Sequence, residues 1–224
     1  MPTVLLMGAS RGLGMEMARQ YRRAGWRVIG TARDDAGLER LRALDCEALR
    51  VDVAEPASNS GLAWQLDGEK LDLAVYVAGV IDRASTTTPP TRETFDRLMH
   101  TNVMGAAMAL PQIAPMLQEA RGVFAVISSV MGSLAQTQSG GSALYRVSKA
   151  ALNMWMRCAQ FDHPSLCCVA LHPGWVQTDM GGPQATLTPE QSASDIRRTL
   201  EQVHAARDKF QGAFLNHDGS PIPW

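Results

Sequence analysis

Thr3-Val4-Leu5-Leu6-Met7-Gly8-Ala9-Ser10-Arg11-Gly12-Leu13-Gly14 is the stretch that decides the fold. Its mostly apolar start predicts a buried strand, and a helix-forming segment begins directly after its three glycines. Glycines at a strand-to-helix turn let the backbone bend sharply and approach a ligand closely, while the helix N-terminus binds anions. The turn therefore predicts a dinucleotide site, with a plain turn as the alternative. Its expected contact residues are Gly8, Ser10, Arg11, Gly12, Leu13 and Gly14.

Six more short apolar runs recur along the chain, with helix-like stretches between them. They cover residues 27–31, 47–51, 71–77, 122–127, 166–171 and 212–215. Continuous apolar runs are typical of strands that crossover helices cover on both faces. We therefore predict a single α/β domain over residues 1–224. Its expected architecture is a doubly wound Rossmann fold with a seven-stranded parallel sheet flanked by helices.

Composition excludes several classes of partner. A formal net charge of -1 leaves no excess of positive charge for nucleic acid or an anionic lipid surface. The longest apolar stretch, 103–117, is broken by glycine and proline and is too short to span a membrane. No signal segment or cysteine pattern of a metal site is present, so we expect a cytoplasmic protein with reduced thiols and no metal.

The end of the second predicted strand bears on the choice of cofactor. An acidic residue there hydrogen-bonds the 2′-hydroxyl of NAD, whereas an arginine accommodates the 2′-phosphate of NADP. Here Ala32 stands where the acidic residue is expected, and Arg33 follows it directly. Arg11 is a second arginine, in the glycine turn. We therefore expect NADP(H) in preference to NAD(H). Asp34 and Asp35 are interpreted as a solvated loop that caps the next helix.

Further polar residues follow the third predicted strand. Asp52 and Val53 are candidates for contact with an adenine ring, and a simple turn aspartate is an equally good interpretation. The histidines, His172 among them, have no partner pattern and are interpreted as structural.

Two long helices are predicted, over residues 91–119 and 142–161. The second carries Tyr145 and Lys149, four residues apart and so on one face. A nearby ammonium group should stabilise a phenolate and lower the pKa of the tyrosine into a range useful for acid-base chemistry. The same helix has an apolar stripe that we interpret as core, with a subunit contact as the alternative. The stripe consists of Leu144, Val147, Ala151, Met154 and Cys158.

Together these features resemble the short-chain dehydrogenase/reductase family. The residues that carry the resemblance are Gly8, Gly12, Gly14, Asp52, Ala78, Gly79, Asn102, Ser129, Tyr145, Ser148, Lys149, Pro173, Gly174 and Thr178. Within the family, the segments 145–153, 172–180 and 218–224 look most like the group that includes C-factor signalling proteins and small carbonyl reductases.

The resemblance implies roles for the catalytic residues. Tyr145 would protonate the carbonyl oxygen, Lys149 would assist it and hold the nicotinamide ribose, and Ser129 would hydrogen-bond the substrate oxygen. Asn102 would position a water that links Lys149 to solvent, with a purely structural amide as the alternative. The remaining expected cofactor contacts are Ala78, Gly79, Pro173, Gly174, Val176 and Thr178. Residues 181–195, with a capping-box pattern at Thr188, are the expected substrate lid.

The chain departs from the family pattern at two places. Tyr76 and Val77 stand where the family usually has two asparagines, so contacts that brace the sheet must be replaced. An insertion over 136–141 lengthens the spacing between Ser129 and Tyr145. Ser129 is preferred as the catalytic serine, with Ser128 and Ser133 as competitors.

These observations predict an NADPH-dependent oxidoreductase that interconverts a small carbonyl compound and its alcohol by hydride transfer. The alternative is an NADP(H)-binding signalling or regulatory protein of the C-factor type. The two long helices resemble those with which family members form twofold contacts, so we expect a homodimer or homotetramer. The sequence does not specify the substrate beyond a modest, partly apolar molecule.

Overall fold

A computed structural model describes all residues from 1 to 224. Its centre is one seven-stranded sheet with the order β3-β2-β1-β4-β5-β6-β7, and every neighbouring pair of strands is parallel. The strands are β1 Thr3–Met7, β2 Arg27–Ala32, β3 Glu47–Arg50, β4 Leu73–Tyr76, β5 Val123–Ile127, β6 Cys167–His172 and β7 Phe214–Asn216. The predicted single-domain doubly wound fold is confirmed, and each strand overlaps the run that predicts it, with β2, β6 and β7 each ending one residue later.

Helices cover both faces of the sheet. They are α1 Gly12–Arg23, α2 Asp35–Arg42, α3 Pro56–Asn59, α4 Leu62–Gln65, α5 Arg92–Met99, α6 Gly105–Ala120, α7 Ala143–Asp162, α8 Pro189–Ala205 and α9 Arg207–Phe210. β1, β4 and β5 are fully buried because apolar clusters lie on both of their faces. None of the helices is both long enough and apolar enough to cross a membrane.

The predicted helix over 91–119 is present but is not uniformly α-helical. Between α5 and α6 the segment His100–Met104 forms a π-helical turn, with Asn102 fully buried at its middle. Such turns widen the backbone ring and occur often at functional sites. The turn thereby separates two α-helical segments at the residue that the resemblance singles out.

The apolar stripe on α7 is not core, so that interpretation is wrong. Val147 is 55% exposed and Met154 is 66% exposed, whereas the buried face of α7 carries residues such as Tyr145, Lys149 and Leu152. The helix therefore packs on the sheet with its catalytic face, and the apolar stripe faces outward. The exposure of these apolar residues favours the alternative interpretation, a contact with a second subunit.

Candidate active site

The glycine turn lies between β1 and α1, at the carboxyl edge of the sheet. Gly8 has a φ of +90°, and a Cβ atom there would lie 2.8 Å from the backbone nitrogen of Ala78. A Cβ atom at Gly14 would overlap the carbonyl oxygen of Gly8. The turn therefore requires glycine at both positions, because the strand, the turn and the loop after β4 approach one another closely.

The first turn of α1 is suited to an anion. Its N-cap residue, Arg11, makes no side-chain capping bond, and no acidic residue lies in the first turn. The helix N-terminus therefore keeps N–H groups and a positive dipole end for a ligand. Thr178, from the loop after β6, lies across the turn, with its methyl carbon 3.4 Å from a Cβ atom built at Gly12. These observations fit the pyrophosphate of a dinucleotide.

The end of β2 bears out the interpretation of the two aspartates. Asp34 caps α2, its Oδ1 accepting a hydrogen bond from the Gly37 N–H at 2.7 Å, and Asp35 pairs with Arg50. Asp34 therefore caps the helix as interpreted, and Asp35 forms an ion pair at the start of α2. The side chain of Arg33 is 70% exposed and lies 4.0 Å from Asp34.

Two more arginines lie by the glycine turn. Arg11 pairs with Asp179 at 3.0 Å, which ties the turn to the loop after β6. Arg40, which the sequence interpretation missed, donates from Nε to the Ser10 carbonyl oxygen at 2.9 Å. Arg11 in the glycine turn and Arg40 beside it thus accompany Arg33, which directly follows the neighbouring strand β2.

Asp52 and Val53 follow β3 as expected, but most of their polar groups have partners within the chain. The Asp52 carboxylate accepts a hydrogen bond from the Ala54 N–H at 3.0 Å, as in a simple turn. The carbonyl oxygen of Val53 accepts a hydrogen bond from Asn59 at 2.7 Å. Contact of either residue with adenine stays a prediction.

The three serines after β5 have different environments. Ser128 donates to Asn153 at 2.5 Å, and Ser133 donates to the Pro223 carbonyl oxygen at 2.5 Å, so both hydroxyls brace the fold. Ser129 caps the short 3-10 helix Val130–Gly132, its hydroxyl oxygen accepting from the Met131 N–H at 3.1 Å, and its side chain lies near enough to Tyr145 to lower the pKa of that phenol. This geometry favours Ser129 as the serine that acts beside the tyrosine.

Tyr145 and Lys149 lie on the buried face of α7. Burial raises the pKa of Tyr145 to about 12, and the nearby Ser129 side chain partly opposes this rise. Burial lowers the pKa of Lys149 to about 8. The Lys149 Nζ donates to the Ile127 carbonyl oxygen at 2.7 Å and lies 5.8 Å from the centroid of the Tyr145 ring.

The expected lowering of the Tyr145 pKa by Lys149 is wrong for this arrangement. The ammonium group is directed to a main-chain oxygen rather than to the phenol, and desolvation of the ring dominates. A phenol with a pKa near 12 holds its proton at neutral pH. It is therefore suited to donate a proton.

Asn102 braces the site with its side chain. Its Oδ1 accepts from the Val80 N–H at 2.8 Å, and its Nδ2 donates to the Val80 carbonyl oxygen and to the Ser148 hydroxyl, each at 2.9 Å. The Ser148 hydroxyl in turn donates to the Tyr145 carbonyl oxygen at 2.7 Å. The side chain is therefore fully engaged, as in the structural alternative, and the water relay stays a prediction.

Gly79 lies between Asn102 and Lys149. A Cβ atom there would lie 3.4 Å from the Asn102 Oδ1 and 3.6 Å from the Lys149 Nζ. The preceding residue, Ala78, is held by a hydrogen bond from its N–H to the Met7 carbonyl oxygen at 3.0 Å. The loop after β4 thus reaches both the glycine turn and Lys149.

Tyr76 supplies the brace that the missing asparagines leave open. Its hydroxyl donates to the Thr101 carbonyl oxygen at 2.6 Å, within the π-helical turn and next to Asn102. A Cβ atom at Gly105 would overlap this hydroxyl, so the helix needs glycine where the ring lies. The sequence could have suggested that Tyr76 replaces the missing brace, but it could not have identified Thr101 as the partner.

The loop after β6 crosses back over the site. Gly174 has a φ of +80°, and a Cβ atom there would overlap Leu187. Val176 is buried and pairs with Leu187 in an isolated bridge, while Pro173 accepts a hydrogen bond from Ser192 at 2.7 Å. Thr188 and Gln191 form the predicted capping box of α8. The part of the expected lid from Pro189 onward is therefore the packed start of α8.

His217 has a partner that the sequence did not reveal. Its Nδ1 lies 2.9 Å from the Asp195 Oδ2, although the two residues come from a loop and from α8. His172 and His217 both line an open cleft beside Gly174, and burial together with the nearby His217 lowers the pKa of His172 to about 4. The sequence shows no partner pattern for the histidines, and the contact of His217 with Asp195 is found only in the structure.

Comparison with known proteins identifies the family. The family described as short chain dehydrogenase matches residues 2–187. The chain belongs to the short-chain dehydrogenase family. It is 30% identical over 236 residues, covering 100% of both chains, to the 1-hydroxy-2-glutathionyl-2-methyl-3-butene dehydrogenase of Rhodococcus sp. (strain AD45). It is 44% identical over 100 residues to the C-signal of Myxococcus xanthus, covering 44% of this chain and 58% of that protein.

Solved structures of other short-chain dehydrogenases share the whole fold. A short-chain dehydrogenase/reductase from Burkholderia multivorans with bound NADP aligns with a TM-score of 0.89 and 33% identity, covering 100% of this chain and 99% of that one. Carbonyl reductase Sniffer of D. melanogaster aligns with a TM-score of 0.91 and 28% identity, covering 100% of both chains. The chain is therefore an oxidoreductase of this family with carbonyl reductases among its neighbours.

Proposed function

We propose that the protein is an NADPH-dependent reductase of a small carbonyl compound, running reversibly between the carbonyl and its alcohol, with Tyr145 as the general acid. The observation that carries the proposal is the placement of Ser129 near a buried Tyr145, with a buried Lys149 on the same helix face. A sensor that only bound the cofactor would have no chemical need of this group.

The residues of the glycine turn would hold the cofactor. The uncapped start of α1 suits the pyrophosphate, and Arg33, Arg11 and Arg40 suit a 2′-phosphate, because Asp34 and Asp35 are engaged elsewhere. NADPH, when bound, supplies the hydride. The solved relatives with bound NADP support this choice of cofactor over NADH.

Tyr145 would give its proton to the carbonyl oxygen as negative charge develops there. Ser129 would donate a second hydrogen bond to the same oxygen, which stabilises the charge electrostatically. Lys149 would hold the nicotinamide ribose with its ammonium group, which donates to the Ile127 carbonyl oxygen at 2.7 Å. Gly79, packed between Lys149 and Asn102, leaves the ammonium room to reach a ligand.

The test is a screen for oxidation of NADPH against a panel of small aldehydes and ketones, repeated with NADH. We expect turnover of at least one carbonyl compound, with NADPH preferred. Tight binding of NADPH without turnover of any carbonyl compound would contradict the enzyme.

That result would support a second candidate, a signalling protein that binds NADP(H) of the C-factor type. The observation that favours this candidate is the 44% identity with C-signal, which covers less than half of the chain. A variant without the Tyr145 hydroxyl that still binds NADPH and is still active in a signalling assay would distinguish this candidate from the reductase.

A further inference from the structure

An open cleft of about 440 Å³ lies beside the candidate catalytic residues. Its lining includes Val130, which directly follows Ser129, and Gly174, together with Asn216 and His217. We call this cavity the polar cleft, because only four of its twelve lining residues are hydrophobic. Nothing in the proposed mechanism uses its polar groups.

The position and the tautomer of His217 are fixed by α8. The Asp195 Oδ2 lies 2.9 Å from Nδ1, so the carboxylate accepts the proton that this nitrogen carries. The main-chain oxygen of His217 also accepts a hydrogen bond from Thr199 at 2.7 Å. Nε2, on the edge of the ring that faces Gly174, is therefore left as a hydrogen-bond acceptor.

A donor lies next to this acceptor. The Asn216 Oδ1 accepts a hydrogen bond from the His217 N–H at 3.0 Å, and the amide nitrogen of Asn216 makes no hydrogen bond within the chain. The buried Nδ1 of His172, which also lines the cleft, has no partner either. A ligand group that both donates and accepts would satisfy these atoms, and buried polar atoms without partners cost free energy.

The charges around the cleft disfavour an anion. Asp195 is already paired with Arg198 at 2.7 Å, and Asp218 accepts hydrogen bonds from Ser220. His172 stays uncharged at neutral pH, because burial and the neighbouring His217 lower its pKa to about 4. The walls therefore offer no unpaired fixed positive charge, and a carboxylate or phosphate would lose its hydration without a counter-charge.

We propose that the polar cleft binds a neutral hydrogen-bonding group of the substrate, a hydroxyl or an amide, between His217 Nε2 and the Asn216 amide. This inference rests on the proposed function and specifies its substrate class. The substrate is then a carbonyl compound with such a group at its far end. Apolar walls from Trp175, Leu187 and Ile222 suit the carbon chain between the two.

Two matched series of aldehydes test the proposal. One contains ω-hydroxyalkanals of increasing length, and the other contains the n-alkanals with the same number of heavy atoms. At the best length we expect a kcat/KM about tenfold higher for the hydroxyaldehyde, the effect of one well-made hydrogen bond. Aldehydes with a terminal carboxylate should be poorer than the hydroxyaldehydes.

His217→Leu should reduce this preference to about twofold or less, because it removes the acceptor. His204→Leu is the matched control, since it removes an imidazole from α8 that does not line the cleft, and it should keep the preference. If His217→Leu does not fold, Asn216→Ala makes the same test. Equal kcat/KM for the two series in the wild type, an unchanged preference in His217→Leu, or best turnover of the carboxylates would overturn the proposal.

A failure of the proposed function can be distinguished from a failure of the cleft. If no aldehyde of any series is reduced, the proposed function fails, and the cleft is then tested by NMR of the histidine side chains. Titration with 1-butanol should move the imidazole resonances of His217, whereas its isomer diethyl ether, which has no O–H to donate to Nε2, should not. Equal responses to the two compounds would overturn the cleft assignment.

Discussion

Of two buried tyrosine hydroxyls, that of Tyr76 has a hydrogen-bond partner and that of Tyr21 has none, so their removal should have different effects on the stability of the fold. The Tyr76 hydroxyl donates to Thr101 at 2.6 Å, so Tyr76→Phe leaves a buried carbonyl oxygen without its partner. Such a loss costs about 1 to 3 kcal/mol in the free energy of unfolding. For a chain of this size this corresponds to a fall in Tm of roughly 2 to 12 °C.

Tyr21 provides the matched control. It is also fully buried, but its hydroxyl has no hydrogen-bond partner. Tyr21→Phe removes a desolvated polar group without leaving another unpaired, so we expect unchanged or higher stability. Thermal and guanidinium chloride unfolding, at one protein concentration, measure both variants against the wild type. The reasoning would be refuted if Tyr76→Phe were as stable as the wild type, or if Tyr21→Phe were the less stable of the two variants.

Three further predictions concern the cofactor, pH and assembly. Arg33→Asp should weaken binding of NADPH about tenfold. This is the lower end of the effect of a charged hydrogen bond, because the side chain is 70% exposed. Equal affinities of the variant and the wild type for NADPH, measured by calorimetry, would refute this prediction. The kcat/KM for reduction should fall as pH rises through about 8, where the buried Lys149 loses its charge while Tyr145, with a pKa of about 12, keeps its proton. A flat profile to pH 10 would contradict this. Sedimentation should show a dimer or tetramer that Met154→Glu dissociates, and a wild-type monomer would exclude the α7 contact.

The parallel fold could be predicted because continuous apolar runs and a glycine turn have one common explanation. The strand Thr3–Met7 and the capping box at Thr188 follow from local chemistry, and the structure confirms both. The prediction that the stripe on α7 is core was wrong, because apolar residues such as Val147 and Met154 suit a helix face that packs on the sheet and one that contacts another subunit equally well. Periodicity identifies such a face but not its neighbour.

Contacts between distant segments could not be predicted. Tyr76 meets Thr101 only because a π-helical turn offers that carbonyl oxygen, and no pattern in the sequence indicates such a turn. The pair of His217 and Asp195 likewise depends on how α8 packs beside the loop after β7. The direction of the Tyr145 pKa shift required the depth of burial, which the spacing to a lysine does not give.

The central claim is that the Tyr145 hydroxyl donates the proton in reduction of a carbonyl compound by NADPH. The most direct measurement compares kcat and the Kd for NADPH in Tyr145→Phe and the wild type, with an aldehyde that the wild type reduces. We expect kcat to fall by about 10² to 10⁴, the usual contribution of a general acid, with the Kd within about threefold because the glycine turn and Arg33 are unchanged. A Tyr145→Phe variant that reduces the aldehyde at the wild-type rate would contradict the account.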